Sequence, residues 1–546
     1  MNRGVAGSDT ASAGSAVRPI VAVSGLLVAV VGFEHDAVWW KWGAVSIRSG
    51  QALGLAVVGL ALADAAMRRR RERDLAVPAL CAAFALWSVV SWIVADRFPA
   101  NVAATTFRVA LFATVGVAVW WLTPRRPDRE TIARLLVGVG VVAAVVGILA
   151  VWSGGEWWRT ESLRGSPTEL GPHQRLTRPF NHANVAAMVF APLSVVGCGL
   201  AVRRHAWWLA AAPLVLATVL TYSRMAPVAL LVGAAVAAYC SSARRPFVGL
   251  MGLLVIVAAA TAWLSPAWSS RLGSPGNQAW YGVDIVVDGP VAGPQPLKVT
   301  VVNRSDVGWA AEGAEAVEVS LRWRSEGGAI QYLDERFALM GPLAPGESTT
   351  VEVSSGALHV VAPGTYEVVV DVVRDRVAFF DEVTGGAAVL SVDLPGATGD
   401  ASGQPVRRPI PEMARRDLWE AAISLAIDNP VVGVGTGNYR LLYGTELGLE
   451  QFRRSSHAHS LYLEPAASSG LPAAAAIVAL VGVVAWRVRT RRGDLEPVDA
   501  AVVGGAMTMA VHGLVDWPLI FTGSGTLFFV MYALAGRAVS RDRAAT

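Results

Sequence analysis

The sequence predicts an all-α polytopic membrane protein carrying an inserted β-sandwich, and three observations predict it. Of its 546 residues, 53% are hydrophobic and 16% charged, against ~45–50% and ~25% in soluble domains. The apolar residues gather in blocks long enough to cross a bilayer, whose hydrocarbon core of ~30 Å requires about 20 residues per helix. Between 283 and 394 that pattern gives way to short alternating runs, the period of half-buried strands.

The charge pattern narrows the class further. The formal net charge of +4 is small, and the arginines stand in short loops between apolar blocks. That is the positive-inside arrangement and gives a nucleic-acid reading little support. Cys81, Cys198 and Cys240 all fall inside apolar blocks, so neither a disulfide framework nor a CxxC metal site is expected. The first apolar run is not followed by a small-residue cleavage site and a soluble chain, so no cleavable signal peptide is expected.

In chain order, residues 1–17 are small and polar. Spans are then expected at about Val17–Phe33, Gly43–Ala66, Leu75–Ala95, Val102–Leu122, Ile132–Trp152, Val185–Val202, Trp207–Tyr222, Pro227–Cys240 and Phe247–Leu264. Three more follow at Leu461–Trp486, Val498–Val515 and Leu519–Ala535, about twelve in all. Basic clusters at 68–71, 125–129, 203–204, 244–245, 487–492 and 537–543 mark the cytoplasmic side. The loop 153–182 and the long segment 265–460 therefore belong outside the cell membrane. The expected division is 1–264 for nine membrane helices, 265–460 for a large extracytoplasmic loop, and 461–546 for the last three helices.

Inside the loop, LKVTVV (297–302), AVEVSLRW (316–323), TTVEV (349–353) and TYEVVVDVV (365–373) alternate between turn signals, which predicts a β-sandwich over 283–394. The stretch from Asn303 to Trp309, Leu321-Arg322-Trp323, PGE at 345–347 and APGTY at 362–366 resemble an immunoglobulin-like module of bacterial surface proteins. A Gly/Pro/Ala linker, 395–411, leads into a helical segment, 413–460, in which Leu418, Trp419, Ala422, Ile423 and Ala426 repeat on one helix face. Gly433-x-Gly435-x-Gly437 comes after this helix rather than after a strand, so it reads as a tight external turn and not as a dinucleotide fingerprint.

Ionisable groups collect on the expected outer face. They are the stretch Arg175–Asn184, the turn Thr221-Tyr222-Ser223-Arg224, Arg415-Arg416-Asp417, the segment from Arg453 to Gly470 (RRSSHAHSLYLEPAASSG), and His512 with Asp516. Arg224 interrupts an apolar stretch, where a charge costs about 2.5–3.5 kcal/mol to insert; Arg108 carries the same argument. Converging arginines call for an anion, and the planar guanidinium fork suits phosphate. At a membrane interface that suggests a lipid-linked pyrophosphate, a leaving group that needs charge stabilisation more than a general acid. The attacking sugar hydroxyl needs a base titrating near neutrality, which is histidine. His459 directly precedes the apolar run and is the better base; His457 contacts substrate. Glu464 is the only carboxylate close to the pair, so neither a metal nor any other cofactor is expected.

The chain resembles the O-antigen ligase and polymerase superfamily of polytopic membrane glycosyltransferases. The resemblance rests on RPFNHANVAAM (178–188), TYSR (221–224), RRDLWEAAISLAIDNPVVGVGTGNY (415–439), HAHSLYLEPAASSGLPA (457–473) and HGLVDWPL (512–519). It implies a GT-C-like membrane fold and an inverting, metal-independent transfer of a glycan from undecaprenyl pyrophosphate to an acceptor hydroxyl on lipid, protein or cell-wall glycan. It implies His459 and Arg224 as catalytic residues. Arg178, His457, Arg453, Arg454, Arg415 and Asn184 are expected to bind substrate. The chain departs from the family pattern with Ser460 in place of the usual Asn, with Ser468 in place of a Glu, and with the inserted sandwich. A flippase of lipid-linked glycans is the alternative, but it needs polar groups across the whole bilayer rather than at one face.

Overall fold

The computed structural model describes residues 18–31, 38–42, 45–68, 74–152, 169–170, 173–180, 182–264, 282–291, 296–312, 316–325, 331–355, 364–374, 378–381, 387–394, 413, 415–449, 452, 454 and 456–540. Of the predicted site residues, Arg453 lies outside the described residues. The first half of the chain is helical: α1 (Pro19–Val31), a short ribbon of β1 (Val38–Trp42) and β2 (Val45–Arg48), then α2 (Ser49–Arg68), α3 (Ala76–Val94), α4 (Pro99–Leu122) and α5 (Arg126–Trp152). A two-residue pair, β3 (Glu169–Leu170) and β4 (His173–Gln174), precedes α6 (Ala183–Ala201), α7 (Trp208–Leu220), α8 (Met225–Cys240) and α9 (Arg245–Leu264).

Among the described residues, seven helices are long and apolar enough to cross a membrane: α2 to α6, α9, and a later helix at Leu471–Val488. α1, α7 and α8 are apolar but shorter. The expectation of about twelve spans is met in part, with seven of full length. α6 is apolar on every side and buried throughout, as a helix at the centre of a bundle must be. α9 instead leaves Val255, Ile256, Trp263 and Leu264 exposed, an apolar surface of the kind that lipid covers.

The β region is separate. β5 (Val283–Asp288), β6 (Leu297–Asn303), β7 (Val317–Ser325), β8 (Gln331–Ala338), β9 (Ser348–Val353), β10 (Gly364–Arg374), β11 (Ala378–Phe379) and β12 (Ala388–Leu394) form two antiparallel sheets. One sheet runs β5-β6-β9; in the other, β10 pairs with β7, β11 and β12, and β7 pairs with β8. Inward residues of both sheets, among them Val299, Val301, Val351, Trp323, Val368 and Val370, share one apolar core. Arg322 is buried in this unit, bonded to Asp371 at 2.9 Å and Asp381 at 2.6 Å.

The remaining helices are α10 (Arg415–Asp428), α11 (Tyr439–Glu446), α12 (Leu463–Ser469), α13 (Leu471–Val488), α14 (Pro497–His512) and α15 (Thr522–Val539). α10 buries Leu418, Ala421, Ala422, Leu425 and Ala426, whereas Ile423, expected on the inner face, is exposed. The apolar stretch expected as a single span at Leu461–Trp486 is two helices, broken at Gly470, where φ is +87°.

The bundle has two chemically different ends. At one, ion pairs join helices: Arg18 to Asp64 and Asp128, each at 3.0 Å, Arg129 to Asp499 at 2.9 Å, Arg203 to Glu130 at 3.0 Å, and Arg487 to Asp74 at 2.7 Å. Most of these carboxylates are buried, and leaving such a charge without its partner costs about 3–5 kcal/mol. The other end gathers the starts of α4, α6 and α8, the end of α14, and the segment from α10 to α12.

Candidate functional site

Three chain segments build the site at this second end. Leu176 N–H donates to the Leu220 carbonyl at 2.9 Å, and Arg175 Nε donates to the Thr221 carbonyl at 2.8 Å. These bonds lay the stretch before α6 across the end of α7, with Leu176 and Phe180 buried as anchors. Arg175 Nη2 donates to Asn184 Oδ1 at 3.1 Å, and Asn184 N–H donates to His182 Nδ1 at 3.2 Å, capping α6. The capping bond requires a neutral acceptor nitrogen on His182. Burial lowers the pKa of His182, and Arg175, His459 and Arg415 push the same way against the opposing charge of Asp516.

The histidine segment is tied to α14. Leu461 N–H donates to the Gly513 carbonyl at 2.7 Å and Tyr462 Oη to the Ala510 carbonyl at 3.0 Å. These bonds bring His459 Nδ1 to 3.3 Å from Asp516 Oδ1. Asp516 follows the end of α14 rather than lying on it, and Trp517 N–H also donates to its Oδ1, at 3.0 Å. Burial favours a neutral Asp516, but the bond and charge of His459, then His512 and Arg415, outweigh it and hold this carboxyl below the usual range. An ionised Asp516 accepts the hydrogen bond of His459 Nδ1–H and leaves Nε2 as the acceptor for a substrate proton, an orientation suited to a general base. His459 itself sits at φ +45° and Tyr222 at φ +50°, left-handed conformations uncommon for side-chain-bearing residues and concentrated at functional sites.

His457 forms a second pair. Its Nδ1 is 3.1 Å from Glu464 Oε1, and Glu464 Oε2 accepts from Ala458 N–H at 2.7 Å. Two histidines two residues apart therefore each face a buried carboxylate, one from α12 and one from the turn after α14. His457 and Glu464 also line a cavity of about 460 Å³ together with Arg108, Arg440, Ser468 and Trp517.

The predicted cations divide by position. Arg178 is half-buried and its Nη1 is buried with no hydrogen-bond partner; burial lowers its pKa. Arg415 is exposed at the first residue of α10, near enough to Asp516, His182 and His512 to act on their titration. Arg224 is exposed at the start of α8, and its neighbour Ser223 places Oγ 3.5 Å from His512 Nε2. Arg454 is exposed and its carbonyl accepts from Arg440 Nη1 at 2.8 Å. The structure thus brings His459, Arg178, Arg415 and Asn184 to one end of the bundle and sets His457 against the cavity.

Sequence reasoning left Asp516 without a partner and took Glu464 only as a possible metal ligand. Their spacings of 57 and 7 residues from the histidines they face follow no local rule. Arg440 was not among the predicted site residues.

The glycine turn fixes this arrangement. Val434 N–H donates to the Ala467 carbonyl at 3.0 Å and Leu471 N–H to the Pro430 carbonyl at 2.8 Å. Gly433 and Gly470 lie so close that a Cβ on either would run into the other segment's backbone. Residues 397–478 match the O-antigen ligase family model. The O-antigen ligase match covers α10, the glycine turn, both histidines, Glu464 and the start of α13. No curated protein matches the chain. With seven membrane-length helices, the O-antigen ligase match supports a multi-pass membrane enzyme of the glycosyltransferase type, acting in polysaccharide biosynthesis.

Proposed function

We propose that the chain transfers a glycan from a polyprenyl (undecaprenyl) pyrophosphate carrier to an acceptor hydroxyl on the outer face of the membrane, as a ligase-like or polymerase-like enzyme. The observation that carries the reading is the His459–Asp516 pair, 3.3 Å apart, with Arg415 close enough to act on Asp516 and with Arg175 and Arg415 acting on the neighbouring His182. In this reading the acceptor oxygen attacks the anomeric carbon from the face opposite the leaving group. The bond from that carbon to the pyrophosphate oxygen breaks, its electron pair leaves with the pyrophosphate, and the hydroxyl proton passes to His459 Nε2. Configuration inverts. Arg178 and Arg415 hold the leaving group, Asn184 orients Arg175, and Arg224 and Arg454 extend the cationic surface around it. Arg175, held in place by the Thr221 carbonyl and the Asn184 amide, adds a guanidinium that stabilises developing charge without reorganising.

The segment 265–460 is extracytoplasmic in this reading, and its two-sheet, immunoglobulin-like unit stands on the side where acceptor glycans are found. The transfer needs no metal. In liposomes carrying a lipid-linked glycan donor and an acceptor, His459→Ala and Arg224→Ala lose transfer while remaining inserted. Full activity of His459→Ala would overturn the base assignment, and loss of wild-type activity on strong chelation would assign a metal.

A further inference from the structure

The cavity beside His457 has no part in the pyrophosphate chemistry above, and three observations say what it is built for. The first is position. His457 lines the cavity and His459, two residues on, forms the proposed base; Trp517 lines the cavity and Asp516, one residue before it, holds that base. The cavity and the reacting centre therefore share a wall made by two chain segments. At about 460 Å³ the cavity falls in the range of small-molecule sites, ~300–1,000 Å³.

The second is the surface it offers. The Trp517 indole supplies an apolar face for the C–H side of a sugar ring. Ser468 is 3% exposed, lines the cavity, and its Oγ is buried with no hydrogen-bond partner. A buried hydroxyl in that state costs free energy unless a ligand bonds it. The third is charge. Arg108 and Arg440 both line the cavity, against one carboxylate, Glu464. Glu464 is already taken up by His457 and by the Ala458 N–H. Arg440 is held at the wall through the Arg454 carbonyl and Asn101 Oδ1, at 2.8 and 2.5 Å, with no carboxylate in ion-pair distance among the described residues. Arg108 is held through the Ile520 carbonyl at 3.0 Å. The cavity wall therefore carries two guanidiniums, and that of Arg440 is held in place by neutral acceptors alone.

We propose that this cavity is the acceptor subsite and that the sugar it takes is acidic, bearing a carboxylate that meets Arg440 and Arg108. The assignment rests on the transfer reading above, which gives the pyrophosphate to Arg178 and Arg415, neither of which lines the cavity. The test reads binding without turnover, using the full chain in lipid nanodiscs. The probes are an oligosaccharide containing glucuronic acid, its carboxyl-reduced counterpart, and undecaprenyl pyrophosphate. The acidic oligosaccharide should bind about tenfold tighter than the reduced one, the lower end of what one hydrogen bond to a charged group contributes. Arg440→Gln should erase that preference and Arg178→Gln should keep it; Arg108→Gln gives the same reading if Arg440→Gln fails to fold. Equal binding of the two oligosaccharides by the wild type overturns the proposal. So does an Arg440→Gln variant that weakens undecaprenyl pyrophosphate and spares the sugar preference, since that assigns the cavity to the donor. A fully active His459→Ala with the preference intact overturns the base assignment alone.

Discussion

Replacing Asp516 by Asn separates the charge of the His459 partner from its shape. Asp516 Oδ1 accepts from Trp517 N–H at 3.0 Å and faces His459 Nδ1 at 3.3 Å. The Trp517 bond keeps an oxygen at that position in the Asn variant, so Nδ1 stays the donor and the imidazole tautomer is preserved. What is lost is the negative charge opposite the imidazolium that forms as the acceptor proton arrives. A hydrogen bond to a charged group contributes about 1.5–3 kcal/mol. The 3.3 Å separation is longer than the ~2.7–2.9 Å of strong charge-assisted bonds, and the His459 side chain is 33% exposed and partly screened. The lower end applies, which is about tenfold in kcat. Asp516→Ala, which also loses orientation, should fall further. The assay is steady-state transfer from a purified lipid-linked donor at saturating acceptor, with KM for the donor expected to stay near the wild-type value. If kcat of Asp516→Asn lies within about twofold of wild type, Asp516 does not support the base.

Gly470→Ala tests the break between α12 and α13. Gly470 has φ +87° and faces the Val431 carbonyl, so a side chain there is strained by about 1–3 kcal/mol, lowering the melting temperature of the full chain in detergent and reducing transfer. A variant with wild-type melting and activity would mean that the break has no structural role. In the β region, burial, followed by the hydrogen bond and charge of Asp381, pushes the Asp371 carboxyl up to about 8. The folded chain then holds a proton that an unfolded Asp, at ~3.9, releases. Stability from this group is present at low pH and is lost as pH rises from about 4 through about 8. The melting temperature should drop between pH 6 and pH 9, and less so in Asp371→Asn; equal slopes would refute a shared proton.

Much of this was legible in the sequence, for reasons visible in particular residues. Period-2 alternation marked β6, β7, β9 and β10, because residues such as Val299 and Val301 must face one core. Apolar blocks marked the helices because their composition is set by lipid or by neighbouring helices. What composition cannot show is where a helix breaks: Leu461–Trp486 reads as one largely apolar run, and the break at Gly470 depends on residues 430–434, nearly forty positions upstream. Nor does a period reveal Asp516, since the contact with His459 is made by two turns brought together by the bonds of Leu461 and Tyr462 to the end of α14. The immediate surroundings of Arg224 were equally hidden; Ser223 beside it meets His512, while Arg224 itself stays exposed.

The glycine turn accounts for how a broken helix persists beside a membrane. A break strips N–H and C=O groups of their helical partners, and unsatisfied backbone groups are costly at membrane depth unless protein supplies replacements. The turn supplies them on both sides of Gly470, through Val434 to the Ala467 carbonyl and through Pro430 to Leu471 N–H. It is itself anchored on α3, where Ser91 Oγ donates to the Val432 carbonyl at 2.7 Å and Trp87 Nε1 to the Val431 carbonyl at 3.0 Å. With those groups satisfied, α12 ends independently of α13, and Glu464 and Ser468, four apart and on one face, both line the cavity. The glycines therefore do no chemistry themselves. They permit the close backbone approach that sets Glu464 against His457, and through the same segment, His459 against Asp516.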